Sequence, residues 1–219
     1  MSASRQQVLD RIRAATCAVA QPAEELAQAY DALPRRYLHA GQLDRAVCIQ
    51  LMIERLRDYD TEVVECAPQE LPAAIAAQLA ASGRRRFVVP EGMSGAWLAA
   101  GYDWSTDRGL AAGEVNQAEG VLTAAFCGVA DSGTIVLHHS PQEGRRVLTL
   151  LPDWHLCILR ASQVVETLPE YFARCPEPPS RLVTWISGPS ATADIEMTRI
   201  KGVHGPRFLH VILVQDEIS

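Results

Sequence analysis

The spacing of apolar residues divides the chain into a helical beginning and a sheet-rich remainder. In three segments near the start of the chain, apolar side chains recur every three to four positions. The first predicted helix begins with a capping-box pattern at Ser4–Gln7. The second begins at Pro22, and the third extends over residues 43–59. We expect residues 1–60 to be a helical part that packs on the rest of one domain, residues 1–219.

The pattern changes after residue 60. Short β-type runs at 61–66 and 86–90 alternate with helical segments over 68–81, which stops at Gly83, and over 94–100. Strands that alternate with helices in this order are typical of parallel βαβ units, because parallel neighbours need a crossover connection.

The second half of the chain is richer in strands. Strands are predicted over four closely spaced segments, residues 120–129, 133–138, 147–151 and 155–159. The intervals between them are too short for a crossover helix, so we expect largely antiparallel pairing. A helix over 168–175 and strands over 182–186 and 208–214 follow. The predicted fold is α/β, with an open mixed sheet and flanking helices.

Composition and charge exclude several classes of protein. The chain has 219 residues, of which 48% are hydrophobic and 21% charged, as in a globular domain. Lys and Arg number 20 against 26 Asp and Glu, so the net charge is −6. Nucleic acid and anionic membranes bind basic faces, so we expect neither as a partner. No apolar run approaches the ~18–20 residues that span a bilayer, and no secretory signal is recognisable, so a cytoplasmic location is expected.

The cysteines and histidines do not form a metal-binding pattern. The six cysteines are scattered along the chain: Cys17, Cys48, Cys66, Cys127, Cys157 and Cys175. Cluster ligation needs several closely spaced thiolates, and no pair stands as C-x-x-C. On a strand, His138 and His139 would point to opposite faces, which disfavours a shared metal ion. We therefore expect no metal and no cofactor.

The first candidate motif lies between two predicted strands, at residues 130–134. Asp131, Ser132, Gly133 and Thr134 form a turn whose backbone N–H groups could hold an anion at a strand end. The same residue types are also those of an ordinary hairpin turn. The sequence leaves both interpretations open.

The second candidate motif, residues 187–196, follows the strand predicted over 182–186. If this segment is extended, Thr192, Asp194 and Glu196 share one face, and two carboxylates there could raise one another's pKa, as in acid/base sites. If it is helical, Asp194 would instead interact with N-terminal amides of the helix.

The third candidate motif is Lys201–Pro206, in which two glycines flank a histidine. Glycine lets the backbone come close to a ligand, and His204 could act as an acid, a base or a hydrogen-bond donor. A histidine in a turn is otherwise structural or solvated. Arg145, in a connecting segment, could pair with a carboxylate or a phosphate through its guanidinium fork, or it could lie on a solvated face.

Three blocks together are more specific than any one of them. In this order and spacing, Gly128–Leu137, Gly188–Glu196 and Gly202–Pro206 resemble the LUD family of lactate utilization proteins. The similarity is strongest over about residues 115–214, and the length of the chain is that of the small single-domain members. Two residues depart from the family pattern. Ser132 stands where threonine is frequent, and Ala191 stands where arginine is frequent.

The resemblance implies a fold similar to that of sugar-phosphate isomerases and CoA transferases. It also implies a role in oxidising L-lactate to pyruvate, as a non-redox subunit beside partners that carry iron–sulfur clusters. The alternative is a stand-alone enzyme, or a sensor, that binds a small anionic, phosphorylated or CoA-linked metabolite.

Candidate site residues come from the three motifs, and whether the chain is an enzyme is left open. The catalytic candidates are Asp131, Asp194 and His204. The ligand-binding candidates are Ser132, Gly133, Thr134, Ser190, Thr192, Glu196 and Gly205.

Overall fold

Two helices form the first of two units into which the chain divides, residues 1–37 and residues 38–219. The computed structural model describes residues 3–16, 22–34, 36–175, 182–189, 191–192, 200–202 and 205–216. Helix α1 is Ala3–Thr16 and helix α2 is Ala23–Asp31. Pro22 stands at the N-cap of α2, and Glu24 and Glu25 in the first turn complement the helix dipole.

The second unit contains the sheets. Its described helices are α3 (Arg45–Asp58), α4 (Leu71–Ser82), α5 (Ala112–Val115) and α6 (Leu168–Arg174). Its described strands are β1 (Glu62–Cys66), β2 (Arg86–Pro90), β3 (Asp103–Asp107), β4 (Gly120–Ala124), β5 (Cys127–Val129), β6 (Thr134–Leu137), β7 (Trp154–Arg160), β8 (Val164–Val165), β9 (Thr184–Ile186), β10 (Ala191–Thr192), β11 (Ile200–Lys201) and β12 (Phe208–Val214). Single 3-10 turns stand at Pro68–Glu70, Gly95–Trp97, Arg146–Thr149 and Ala161–Gln163. None of the helices in the described segments has the length and apolar character needed to cross a bilayer.

The main sheet has six strands in the order β1-β12-β7-β4-β2-β3, and every neighbouring pair is parallel. A second sheet, β8-β5-β6-β9, is mixed, with parallel β5–β8 and antiparallel β5–β6 and β6–β9 pairs. Strands β10 and β11 form a separate antiparallel pair. The α/β fold class is confirmed, and the mixed pairing lies in the second sheet.

The two faces of the main sheet bury different helices. On one face, Ile75 and Leu79 of α4 share an apolar cluster with Phe87, Leu156 and Ile212. On the other face, α3 contributes a second apolar cluster that includes strands β7 and β12. Successive residues of a strand point to opposite faces, so each long strand serves both clusters.

Several predicted elements agree with the structure. Strand β12 has the predicted bounds, Phe208–Val214. Helix α4 ends at Gly83, whose φ of +67° lies in the left-handed region that terminates helices. The segment predicted as a helix over 94–100 forms only one 3-10 turn. Strand β3 was not predicted, because its sequence, Asp-Trp-Ser-Thr-Asp, is largely polar and it lies at the edge of the sheet.

The prediction of antiparallel pairing in the second half is wrong for the main sheet. Strands β4 and β7 are parallel, with Thr123 opposite Cys157. The crossover between them is made by the β5–β6 hairpin and a 3-10 turn instead of a helix. The predicted strand 120–129 is accordingly two strands in two different sheets, broken after Ala124.

The segment predicted as a strand over Val147–Leu151 is also not a strand. Residues Arg146–Thr149 form a 3-10 turn in which the Thr149 hydroxyl donates to the Arg146 carbonyl, with an Oγ1–O distance of 3.2 Å. The run lies between Gly144, with φ of +73°, and Pro152, two residue types that interrupt strands.

Candidate functional site

A cavity of about 280 Å³ opens on the face of the main sheet that packs against α3. Its inner wall includes His155 and Leu209, the second residues of β7 and β12, so it lies at the amino ends of these strands. Strand β9 and the segment after it form a second wall, and the Arg146–Thr149 turn lies at the side. The volume is suited to a small metabolite.

His155 is the polar group on the sheet side of this cavity. Its residue is only 1% exposed, and its Nε2 lies 2.8 Å from the Thr123 Oγ1 on β4. Burial lowers the pKa of His155 to about 4, so the imidazole is neutral at physiological pH. Among the described residues its Nδ1 has no hydrogen-bond partner, which leaves one imidazole nitrogen for a ligand.

Arg146 supplies the charge of the cavity. Arg146 is exposed, and its guanidinium makes no ion pair or hydrogen bond with any described residue. The described lining includes no carboxylate, although the whole chain has a net charge of −6. A described lining that carries a guanidinium and no carboxylate favours an anionic ligand.

Hydroxyl groups along β9 complete the polar lining. His139 Nδ1 lies 2.7 Å from the Gly144 carbonyl oxygen, and its Nε2 lies 2.9 Å from the Thr184 Oγ1. The carbonyl can only accept, so Nδ1 carries the proton, and in the neutral ring the Thr184 hydroxyl donates to Nε2. The oxygen of Thr184 is held in place at the wall.

The first and second predicted motifs meet beside this wall. Thr134 Oγ1 lies 2.7 Å from Ser132 Oγ and 2.8 Å from Ser187 Oγ. Ser187 lines the cavity, so Ser132 and Thr134 position a lining residue without lining the cavity themselves. Gly205, from the third motif, also lines it.

Other predicted residues of the first motif lie elsewhere. Asp131 is exposed, and its backbone N–H donates to the Glu166 carbonyl at 2.9 Å. Gly133 has φ of +60°, and a Cβ there would lie 2.7 Å from the Cβ of Arg55 on α3. Its N–H donates to Ala130, so two amides of the turn are already paired within the chain. They are not available to an anion.

Four predicted site residues lie outside the described part of the chain: Ser190, Asp194, Glu196 and His204. For Thr192 the structure gives the backbone pairing with Ile200 in β10–β11. The roles predicted for these residues stay predictions.

Sequence reasoning missed the two residues that give the cavity its chemistry. His155 stands in an otherwise apolar strand, Trp-His-Leu-Cys-Ile-Leu-Arg, and a polar residue at one position of such a strand was the available signal. Arg146 follows Arg145 in the connecting segment, and none of the three candidate motifs includes it. Its neighbour Arg145, for which the sequence leaves an anionic partner and a solvated face both open, pairs with Asp107 through N–O distances of 2.8 and 2.7 Å, and half of its side chain is exposed.

No group of three or more His, Cys, Asp or Glu side chains within the described segments is arranged to hold a metal ion. The described thiols are also poor ligands in their present state. Burial raises the pKa of both Cys127 and Cys157 to about 12, so both thiols stay protonated at neutral pH.

The model of the LUD domain matches residues 98–214. The chain belongs to the LUD-domain family. The Lactate utilization protein C of Deinococcus radiodurans is 40% identical over 189 residues, which cover 84% of this chain and 87% of that protein. A protein of the same name from Geobacillus thermodenitrificans is 30% identical over 186 residues, which cover 74% of this chain and 76% of that protein. The crystal structure of a DUF162 family protein from Deinococcus radiodurans has a TM-score of 0.67 and 36% identity, and it covers 79% of this chain and 99% of that one.

The cavity falls within the LUD domain. The lining residues that the structure describes lie between Arg146 and Leu209, inside the matched range 98–214. Thr123, which contacts His155, lies there too. Helices α1 to α4 precede the matched range. The described lining of this cavity is therefore built from the part of the chain that matches the family model.

Proposed function

We propose that this LUD-domain protein acts in lactate utilization, as a non-redox subunit of a cytoplasmic system that oxidises L-lactate to pyruvate. The observation that carries the proposal is a 40% identity to a protein named Lactate utilization protein C. The matched residues cover 87% of that protein. The relative from Geobacillus thermodenitrificans, which bears the same name, supports it.

The chemistry of the chain supports a non-redox role within such a system. Oxidation of lactate to pyruvate releases two electrons, which must pass to a redox group. The described cysteines are isolated from one another in the sequence, and Cys127 and Cys157 are buried as thiols. The resemblance to the LUD family implies partner proteins with iron–sulfur clusters, so we assign the electron transfer to such partners and the binding of a small anion to this chain.

The proposal is tested by growth of a strain that lacks this gene, with L-lactate as the sole carbon source. We expect growth to be lost and to return when the wild-type gene is supplied. Growth of the same strain on pyruvate is the control, because it requires the later steps of metabolism but not lactate oxidation. Normal growth of the deletion strain on L-lactate, in a background without another lactate dehydrogenase, would contradict the proposal.

The partner assignment needs its own measurement. A tagged chain expressed in lactate-grown cells should co-purify with proteins that show the visible absorption of iron–sulfur clusters and contain iron and sulfide. The same preparation from the strain without the partner genes should be colourless. A colourless preparation from lactate-grown wild-type cells would count against iron–sulfur partners.

A further inference from the structure

We propose that the cavity at the amino ends of β7 and β12 binds a small 2-hydroxy or 2-oxo monocarboxylate, with Arg146 holding the carboxylate and His155 contacting the oxygen on carbon 2. The inference rests on the proposed function for the choice among anions. The site itself is argued from the residues that line it.

The charge of the lining selects a carboxylate. Arg146 is the charged group of the described lining, its guanidinium makes no contact with a described carboxylate, and it belongs to the short turn that forms one side of the cavity. The planar guanidinium fork matches a carboxylate through two parallel hydrogen bonds. Arg145, one position earlier, is already engaged in such a pair with Asp107 and is unavailable.

The sheet side of the cavity offers one directed polar contact. Thr123 occupies Nε2 of His155, and the register of β4 and β7 fixes both residues on the same face. The imidazole therefore cannot turn without breaking a buried hydrogen bond. Its Nδ1 presents a donor or acceptor according to the tautomer, and a hydroxyl or keto oxygen beside the carboxylate can pair with it.

The size and apolar part of the cavity limit the rest of the ligand. The volume of about 280 Å³ is at the small end for ligand sites. Leu150, Ile186 and Leu209 supply apolar surface beside the polar groups. A short alkyl group, such as one methyl, gains from contact with this surface, whereas a CoA thioester is far too large to be enclosed.

The test is calorimetric titration of the purified full chain with four ligands: L-lactate, pyruvate, propionate and inorganic phosphate. Propionate keeps the carboxylate and the alkyl group but lacks the oxygen on carbon 2. We expect L-lactate or pyruvate to bind at least about tenfold more tightly than propionate, and phosphate to bind more weakly than either. Absence of binding by L-lactate and by pyruvate at ~10 mM would overturn the proposal, as would tighter binding of phosphate.

Two variants assign the contacts. Arg146→Gln should weaken binding of all the carboxylates about tenfold or more. The control is Arg108→Gln, because Arg108 is an exposed arginine after β3 whose contact with Glu91 is a solvent-exposed ion pair. Equal loss in both variants, or no loss in Arg146→Gln, would refute the role of Arg146.

His155→Gln addresses the oxygen on carbon 2. The glutamine amide can reach the position of Nε2 and keep the contact with Thr123, but it has no atom at Nδ1. We expect it to bind L-lactate no better than propionate. If this variant does not fold, the ¹⁵N chemical shift of His155 Nδ1 in the wild-type chain gives the answer, since lactate should shift it and propionate should not. An unchanged shift at saturating lactate would rule out the contact.

The binding and growth experiments fail separately. Loss of growth in the deletion strain without any carboxylate binding leaves the function in lactate utilization and refutes this site. If the deletion strain still grows on L-lactate but the protein binds carboxylates through Arg146, the site stands and the function in lactate utilization is refuted.

Discussion

On strand β7, Leu156 faces helix α4, and its neighbour His155 faces the cavity on the other side of the main sheet. The α4 side is lined by aliphatic and aromatic side chains, including Phe87 and Trp154, whose ring centroids lie 5.7 Å apart. Edge-on contacts of this kind add to the free energy gained from apolar burial. This face contributes mainly to stability.

The cavity side is different at the same level of the sheet. Thr123 and His155 are 0% and 1% exposed and satisfy each other, and Cys157 lies beside them, with its Sγ 3.8 Å from the Thr123 hydroxyl. Buried polar groups contribute less to the free energy of unfolding than buried apolar groups do, and they lower it if a hydrogen-bond partner is lost. The α4 side also holds one polar pair, Gln78 and His210, 2.9 Å apart. The comparison shows that the cavity side buries its polar pair almost completely, whereas the α4 side around Leu156 is mainly apolar.

The largest effect should come from the α4 side. Leu156→Ala removes a fully buried side chain and leaves a void, so we expect the free energy of unfolding to fall by about 2–5 kcal/mol. Urea denaturation followed by circular dichroism measures it. Leu182→Ala is the matched control, since that leucine is 78% exposed and should change stability by less than ~0.5 kcal/mol. A similar loss in both variants would break the comparison.

A smaller loss is expected on the cavity side from Thr123→Val. The substitution keeps the shape of the side chain but leaves His155 Nε2 buried without its partner. We expect a loss of about 1–3 kcal/mol in the free energy of unfolding, by the same denaturation measurement. Thr106→Val, on exposed edge strand β3, should be nearly neutral. An unchanged stability in Thr123→Val would show that the buried contact does not matter.

The pH dependence of stability separates the two faces further. The pKa of His155 is lowered to about 4 by burial, against ~6.5 in the unfolded chain. Between these values the unfolded chain binds a proton that the folded chain does not, so the free energy of unfolding falls as the pH falls from about 6.5 to about 4. Denaturation across this range should show a shallower fall in His155→Gln than in wild type. Parallel curves for the two proteins would contradict the buried neutral histidine.

The smallest effects concern the adjacent arginines. Arg145 makes two hydrogen bonds to the buried carboxylate of Asp107, and this contact lowers the pKa of Asp107. Because the Arg145 side chain is half exposed, we expect Arg145→Gln to reduce the free energy of unfolding by only about 1–2 kcal/mol. Arg146→Gln should change it by less than ~0.5 kcal/mol. Thermal melts of the two variants side by side give the difference, and a larger loss in Arg146→Gln would show that Arg146 has a structural role.

Much of the fold follows from local patterns. Strand β12 is a run of apolar residues interrupted only by His210, between Pro206 and Gln215, and the glycine after α4 supplies a left-handed helix end. These signals are confined to a few neighbouring residues, so one sequence is enough to detect them.

The arrangement of the second half depended on contacts that local patterns do not contain. A short connection predicted antiparallel strands, but the β5–β6 hairpin itself carries the chain across between β4 and β7. The cavity was missed for the same reason. His155 and Thr123 are brought together only by the parallel register of two strands. The second and third candidate motifs include Ser187 and Gly205, but no motif includes the histidine on the opposite wall.

The place of β12 in the main sheet has a consequence for how the chain is made. Strand β12 is the last strand of that sheet along the chain, yet it lies between β1 and β7 in the sheet. While the nascent chain leaves the ribosome, the backbone edges of β1 and β7 that face each other stay unpaired until β12 has been translated. Unpaired edges are sites of wrong strand addition, and pairing between distant segments is slow. Protection of the growing chain by a chaperone would be needed most before β12 has emerged from the ribosome.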